Sequence, residues 1–183
     1  LLPNSDYDPN TVDIPSIRVP TYQCPSEVNS DLRSTAISPN GSTSITVNIC
    51  PLNYGFNMGT WQVYRPATGE GGDGAFFVNS TTNPAAFTDG LSNTLATSEV
   101  KTYTGYVRNT GDPGSAPFAS PSAMVSFINS TTKTFRATGH TEWCDGRVHH
   151  EGITTTFTPN TVISYVDTGT TYDIDFNSRQ EGN

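Results

Sequence analysis

The three histidines of this chain lie together in one short segment, residues 139–151, which reads GHTEWCDGRVHHE. Imidazole and carboxylate side chains bind Zn²⁺ and other divalent ions, and they also donate and accept protons in acid–base catalysis. The segment contains both kinds of group at close spacing. It is therefore where the sequence places its strongest candidate for a metal site or a catalytic pair.

The Asp145–Gly146 dipeptide in the middle of the segment predicts a β-hairpin with a two-residue type I′ turn. Such a turn fixes which residues pair across the hairpin, and side chains alternate between the two faces of each strand. We predict that one face carries four candidate metal ligands, with Zn²⁺ as a fitting ion. These residues are His140, Glu142, His149 and Glu151.

Other interpretations of this hairpin face remain open. Cross-strand His–Glu pairs also occur as ordinary surface ion pairs, and such a face can instead contact a ligand or a partner. Glu142 and Glu151 are also conceivable as the acid and base of glycoside cleavage. On the opposite face, Trp143 and Val148 are expected to form an apolar cross-strand pair that packs into the core.

Asp173 and Asp175 are a second place for a cation, because they lie two positions apart on a predicted strand. Carboxylate oxygens are the ligands that Ca²⁺ prefers, but the same pair also suits a solvated edge strand. We expect no cofactor beyond a Zn²⁺ or Ca²⁺ ion.

The composition favours a mainly β fold with minor short helices and many long loops. Thr, Ser and Asn occur 28, 18 and 15 times, and the 16 Gly and 13 Pro residues separate short runs of β-branched and aromatic residues. We predict a domain built on antiparallel sheet. Residues 1–22 are expected to form an extended N-terminal arm, and residues 23–183 a single β-rich globular domain.

The charge of the chain excludes two classes of partner. There are 9 Lys and Arg residues against 17 Asp and Glu residues, which gives a net charge of −8. Binding to the phosphates of nucleic acid or to an anionic membrane surface requires clustered cations, which this chain lacks. The low lysine content with high Thr, Asn and Gly is typical of extracellular proteins.

The three cysteines leave the redox state open. Cys24 and Cys50 each precede a proline, and together they are a candidate disulfide that would close a loop. Cys144 would then remain as a single thiol, which we interpret as a small, partly buried side chain.

Three segments in order along the chain resemble the DUF1559 family, which is abundant in planctomycetes. They are Tyr22–Glu27 (YQCPSE), Asn53–Asn57 (NYGFN), and Phe87–Thr94 (FTDGLSNT) followed by Ser98–Glu99. The resemblance implies a pilin-like or pseudopilin-like surface protein with an N-terminal hydrophobic helix and a β-rich head. That helix is absent here, so we expect the head only. The H-x9-D-G pattern of many relatives is also absent, and the family supplies no established catalytic residues.

The resemblance therefore implies a structural or adhesive role in an extracellular filament or surface assembly, which favours a non-enzymatic protein and leaves an enzyme as an open alternative. The expected partners are other copies of the chain or other pilin-like subunits, with a membrane contacted only through the missing helix. Exposed aromatic rings would also suit polysaccharide, because sugar rings stack on them. The candidates for that contact are Trp61, Tyr64, Tyr103 and Tyr106.

Two other functions remain open from the sequence. A metal-dependent hydrolase would use the hairpin face of His and Glu residues. A solute-binding protein, a label also attached to this family, would instead need a closed pocket.

Overall fold

The computed structural model describes residues 14–37, 44–65 and 68–177. They contain eleven strands and two α-helices, which confirms the prediction of a mainly β fold with minor helices. The strands are β1 (Arg33–Ile37), β2 (Ile45–Ile49), β3 (Tyr54–Asn57), β4 (Tyr64–Arg65), β5 (Glu70–Gly71), β6 (Thr97–Glu99), β7 (Thr104–Arg108), β8 (Thr134–Gly139), β9 (Gly152–Ile153), β10 (Ser164–Asp167) and β11 (Thr170–Phe176). The α-helices are α1 (Pro121–Ser130) and α2 (Val148–Glu151). None of the described helices has the length and apolar character needed to cross a membrane.

The strands form four sheets, and the two larger ones position the histidine-rich segment. The four-stranded sheet has the order β10-β11-β7-β8, and the three-stranded sheet has the order β6-β3-β9. Most pairs are antiparallel, as predicted, but β11 pairs with β7 and β3 pairs with β9 in parallel. Parallel pairing requires a long crossover connection, and each of these pairs is separated by a long stretch of chain.

The main core forms between α1 and one face of the four-stranded sheet. The helix begins with Ser120 as its N-cap, because the Ser120 hydroxyl accepts a hydrogen bond from the backbone N–H of Ala123 at 3.1 Å. Met124 and Ile128, four residues apart, lie on one face of α1 and are both buried. The core cluster comprises Val107, Met124, Ile128, Ile163, Tyr165 and Ile174.

The opposite face of the same sheet holds α2. Adjacent residues of β7 point to opposite faces, so Val107 enters the main core whereas Tyr106 points away from it. The Tyr106 ring stacks on the imidazole of His149 in α2, and α2 also packs against β3 and β9. Residues 148–151 are thus held between the two larger sheets.

Residues 14–32 are fixed to the body by backbone hydrogen bonds. Within the part of the predicted extended arm that the structure describes, two short 3₁₀ turns form, Ile14–Ser16 and Pro20–Tyr22. The Pro15 carbonyl accepts from Cys50 N at 2.7 Å. The first thirteen residues of the expected arm lie outside the described residues, so its boundary at residue 22 stays a prediction.

Candidate functional site

The Asp145–Gly146 dipeptide does not form the predicted hairpin. A type I′ turn requires positive φ at both central residues, and neither Asp145 nor Gly146 has it. Instead the Asp145 carboxylate accepts a hydrogen bond from the backbone N–H of Arg147 at 3.1 Å, and α2 begins at the next residue. The predicted strand pairing is therefore wrong, and so is the apolar pair of Trp143 with Val148 across a ladder.

The two ends of the segment nevertheless meet, and His140 joins them. Its backbone N–H donates to the His149 carbonyl at 2.9 Å, and its ring nitrogen Nδ1 lies 2.8 Å from the His150 carbonyl. The other ring nitrogen, Nε2, lies 3.4 Å from an Asp175 carboxylate oxygen. His140 adopts a left-handed φ of 55°, which this set of contacts holds in place. Its imidazole therefore connects α2 to β11.

His149 packs in the interior between the sheets. Its ring is stacked on Tyr106 with 4.4 Å between ring centroids and an interplanar angle of 16°. The His150 ring also lies against it, at a centroid distance of 4.2 Å and an interplanar angle of 48°. His149 is thus held by aromatic packing and does not face Glu142 across strands.

Glu142 instead lies in a buried ion-pair cluster. One of its carboxylate oxygens pairs with the Arg33 guanidinium of β1, and the other lies 3.7 Å from Nη2 of Arg147. The Arg147 guanidinium also binds Asp145, with Nε donating to the carboxylate at 2.6 Å. Two carboxylates and two guanidinium groups balance in charge, and the cluster ties β1 to the chain that leads into α2.

His150 completes this cluster. Its Nε2 lies 3.4 Å from Oε1 of Glu142, and the residue is only 1% exposed. Burial first, and then the positive charges of its neighbours, hold the pKa of His150 far below its usual value, so the imidazole is neutral. Its Nδ1 makes no hydrogen bond within the described part of the chain.

Among the described residues, one group of His, Cys, Asp and Glu side chains has converging ligand atoms. It consists of Glu142, Asp145 and His150, whose ligand atoms all lie within 4.8 Å of one another. Of the four ligands predicted from the hairpin, only Glu142 belongs to it. Glu151 does not belong to this group. Burial and the nearby negative charge of Asp145 raise the pKa of Glu151 to about 7.

Asp173 and Asp175 do not converge on a common point either. An Asp173 oxygen accepts a hydrogen bond from the backbone N–H of Ile163 at 2.9 Å, whereas Asp175 pairs with His140. Each carboxylate therefore has a separate structural contact.

The aromatic residues predicted to bind polysaccharide do not form one platform. Tyr106 is buried against His149. The Trp61 ring lies nearly parallel to Phe176, which belongs to the other face of the four-stranded sheet, and its indole N–H donates to the Gly114 carbonyl at 3.2 Å.

The two remaining aromatic candidates are also placed separately. The Tyr103 hydroxyl donates to the Asp31 carbonyl at 2.7 Å, and burial raises the pKa of Tyr103. Tyr64 lies in β4, opposite Gly71 of β5.

No disulfide joins Cys24 to Cys50, which corrects the candidate pairing. Cys50 is completely buried, and that burial raises the pKa of its thiol. The Cys24 thiol points elsewhere, 3.0 Å from the Ser26 hydroxyl and 3.7 Å from a Glu99 carboxylate oxygen.

The first two segments that carry the family resemblance meet at Asn53, which is 1% exposed. Its side-chain oxygen accepts from the backbone N–H of Cys24 at 3.0 Å, and its side-chain nitrogen donates to the Glu27 carboxylate at 3.2 Å. The Asn53 backbone carbonyl accepts from Val100 N at 2.9 Å. We refer to Cys24, Glu27, Asn53 and Glu99 as the motif joint.

Two members of these clusters, Arg33 and Asp145, carry no direct signal in the sequence for the role they have. Arg33 is 109 residues from Glu142, and pairing at that distance along the chain has no local pattern. Asp145 was interpreted only as a turn residue. The dense run of polar and charged residues between positions 139 and 151 is the one signal that marked the region.

The sequence model of a protein family described as "Protein of unknown function (DUF1559)" matches residues 2–182 of the chain. No significant match was found among curated proteins or among solved structures.

Proposed function

The chain belongs to the DUF1559 family, and on that basis we propose that it is the β-rich head of a pilin-like extracellular surface protein. Its role in this proposal is structural or adhesive, within a filament or surface assembly. The partners are further copies of the chain or other pilin-like subunits.

The motif joint is the observation that carries this proposal. Cys24 and Glu27 of the first family segment bind the Asn53 side chain, and the Asn53 backbone carbonyl accepts from Val100, the residue after Glu99 of the third. A family signature of an enzyme would be expected to present reactive groups to a substrate. Here the signature positions three chain segments, which suits a protein selected for a stable scaffold.

The histidine-rich segment supports the same interpretation. His140 and His149 connect α2 to its neighbours, and the Glu142 and Asp145 carboxylates are paired with guanidinium groups. These side chains hold the interior between the two sheets together. The hydrolase suggested by the sequence required a different set, on a hairpin face that does not form.

The surface of the domain offers apolar side chains for contacts between subunits. Val166 lies on β10, an edge strand of the four-stranded sheet, and is 60% exposed. Edge strands carry unpaired backbone groups that can pair with another chain. Further exposed apolar side chains are Val28, Leu91, Leu95 and Val162.

Polysaccharide contact is not part of the proposal. Trp61 and Tyr106 lie against opposite faces of the four-stranded sheet, Tyr64 lies in β4 and Tyr103 precedes β7, so the four candidates do not offer one stacking surface. An adhesive role would therefore use other residues.

Site-specific photocrosslinking in cells tests the proposed assembly. A photoreactive amino acid replaces Val166 in the full-length protein, and a matched protein carries it at Val47, which is buried in β2. We expect the Val166 position to give adducts with a second copy or with another pilin-like subunit in the surface fraction, and the Val47 position to give none. Adducts absent from both positions, or equal at both, would contradict the assembly.

A further inference from the structure

We propose that Glu142, Asp145 and His150 form a binding site for a divalent transition metal ion of the Zn²⁺ type. One ligand atom from each residue lies within 4.8 Å of the others, so a small closing movement would let a single ion contact all three. This set shares only Glu142 with the four ligands expected from the sequence. It is independent of the role of the protein in a surface assembly.

The separation between two of the ligand atoms already fits a tetrahedral ion. Zn²⁺ binds imidazole nitrogen and carboxylate oxygen at about 2.0–2.2 Å, which places two ligands of a tetrahedron roughly 3.3–3.5 Å apart. His150 Nε2 and Glu142 Oε1 are 3.4 Å apart. A modest movement of Asp145 would bring a third oxygen to the same ion.

The state of His150 is a second, independent indication of a ligand. The ring is almost completely buried, and its Nδ1 makes no hydrogen bond within the described part of the chain. Its Nε2 has only a contact to Glu142 that is longer than a good hydrogen bond. The atom that faces the carboxylates is Nε2, whereas Nδ1 lies on the other edge of the ring and would not touch the ion. A buried imidazole nitrogen normally has a strong polar partner, and a metal ion between Nε2 and the carboxylates would give one to Nε2.

The ligand types select among metal ions. One imidazole with two carboxylates suits Zn²⁺, Co²⁺ or Mn²⁺, whereas Ca²⁺ prefers a set made only of oxygens. Three protein ligands leave a fourth position for water. That position is reached from the side of Arg147, whose side chain is 32% exposed, because His150 and Glu142 lie deeper.

Arg33 and Arg147 compete with the ion for the carboxylates of Glu142 and Asp145. Both guanidinium groups pair with the two carboxylates that would coordinate it. A divalent ion and these cations cannot neutralise the same oxygens at once, so the ion must displace at least one guanidinium. Arg147 is the group that can leave towards solvent, because Arg33 is more deeply buried, at 15% side-chain exposure.

Calorimetric titration of the purified chain with ZnCl₂, repeated with CoCl₂ under visible absorption, tests the site. We expect one ion per chain and the absorption of a low-coordinate Co²⁺ complex. Asp145→Asn and His150→Gln should each weaken binding at least about tenfold, and Arg147→Met should tighten it by a similar factor because a competing charge is removed. His149→Phe keeps the stack on Tyr106 and should bind like the unmodified chain, while Asp31→Asn controls for an exposed carboxylate.

Three results would overturn the site. The first is an absence of Zn²⁺ binding by both the unmodified chain and Arg147→Met, with circular dichroism confirming that both are folded. The second is binding that Asp145→Asn and His150→Gln leave unchanged, which would place the ion elsewhere. Loss of binding in His149→Phe but not in His150→Gln would also contradict it.

Discussion

The side-chain amide of Asn53 donates a hydrogen bond to the Glu27 carboxylate at 3.2 Å, and the other end of the same amide accepts from the backbone N–H of Cys24. The same Glu27 oxygen lies 3.3 Å from the backbone N–H of Thr102. One buried amide and one carboxylate therefore connect the segment before β1, the entry to β3 and the entry to β7.

Replacing Asn53 with Ala should lower the free energy of unfolding by about 2 to 4 kcal/mol, because it leaves the Cys24 N–H and the Glu27 carboxylate without their buried partner. Denaturant unfolding followed by circular dichroism measures this. Asn29→Ala is the matched control, since Asn29 is exposed. Equal stabilities of the two variants would mean that the motif joint does not hold these segments.

The Arg33–Glu142 pair should contribute to stability as a unit. Glu142→Leu alone leaves the Arg33 charge largely buried, and we expect a loss of about 3 kcal/mol. Arg33→Met in the same chain should restore part of that loss, giving a coupling energy of about 1 to 3 kcal/mol in a double-mutant cycle. The cycle is measured by urea unfolding in the presence of a chelator, so that bound metal does not contribute. Strictly additive losses would show that the two residues do not interact.

Stability should fall in acid because of His150. The pKa of His150 in the folded protein is far below the ordinary 6.5. In acid the unfolded chain therefore binds a proton at His150, whereas the folded chain does not. The contribution of neutral His150 to the free energy of unfolding is complete above about pH 6.5 and is lost progressively as the pH falls below that value. Unfolding measured between pH 4.5 and pH 8 should therefore show a steeper decline for the unmodified chain than for His150→Gln. Parallel pH profiles would contradict a neutral, buried His150.

Glu151 should have the opposite pH dependence. The pKa of Glu151 is about 7 in the folded protein, against 4.5 for an ordinary glutamate. The contribution of the protonated side chain to the free energy of unfolding is therefore complete below about pH 4.5 and is lost as the pH rises through 7. Glu151→Gln keeps the shape of the protonated side chain. At pH 8 it should be more stable than the unmodified chain by on the order of 1 to 2 kcal/mol, a figure reduced because the side chain is partly solvated. At pH 4.5 the two should be equal, and a constant difference at both pH values would point to a cause other than ionisation.

Local sequence patterns predicted the strands and helices whose conformation depends mainly on neighbouring residues. Polar and apolar residues alternate strictly over residues 44–50, a pattern that predicts a half-buried strand, and β2 occupies Ile45–Ile49. Residues 123–128 favour a short helix, and they are the centre of α1, whose N-cap and buried face are both encoded within ten residues.

The candidate site could not be predicted in the same way. Asp145–Gly146 is a strong hairpin signal, but the Asp145 carboxylate binds Arg147 and directs the chain into α2. The decisive contact of Glu142 is with Arg33 in a distant part of the sequence. Long-range ion pairs leave no periodic pattern, so the sequence identified the region and not its geometry.

Immunogold labelling of unbroken cells of the source organism, with antibody raised against the purified chain, tests the central proposal most directly. The proposal predicts gold on the outer surface and on material that shearing releases, with no labelling of a deletion strain. Label that appears only after the cells are broken, distributed through the cytoplasm, would contradict a pilin-like surface role.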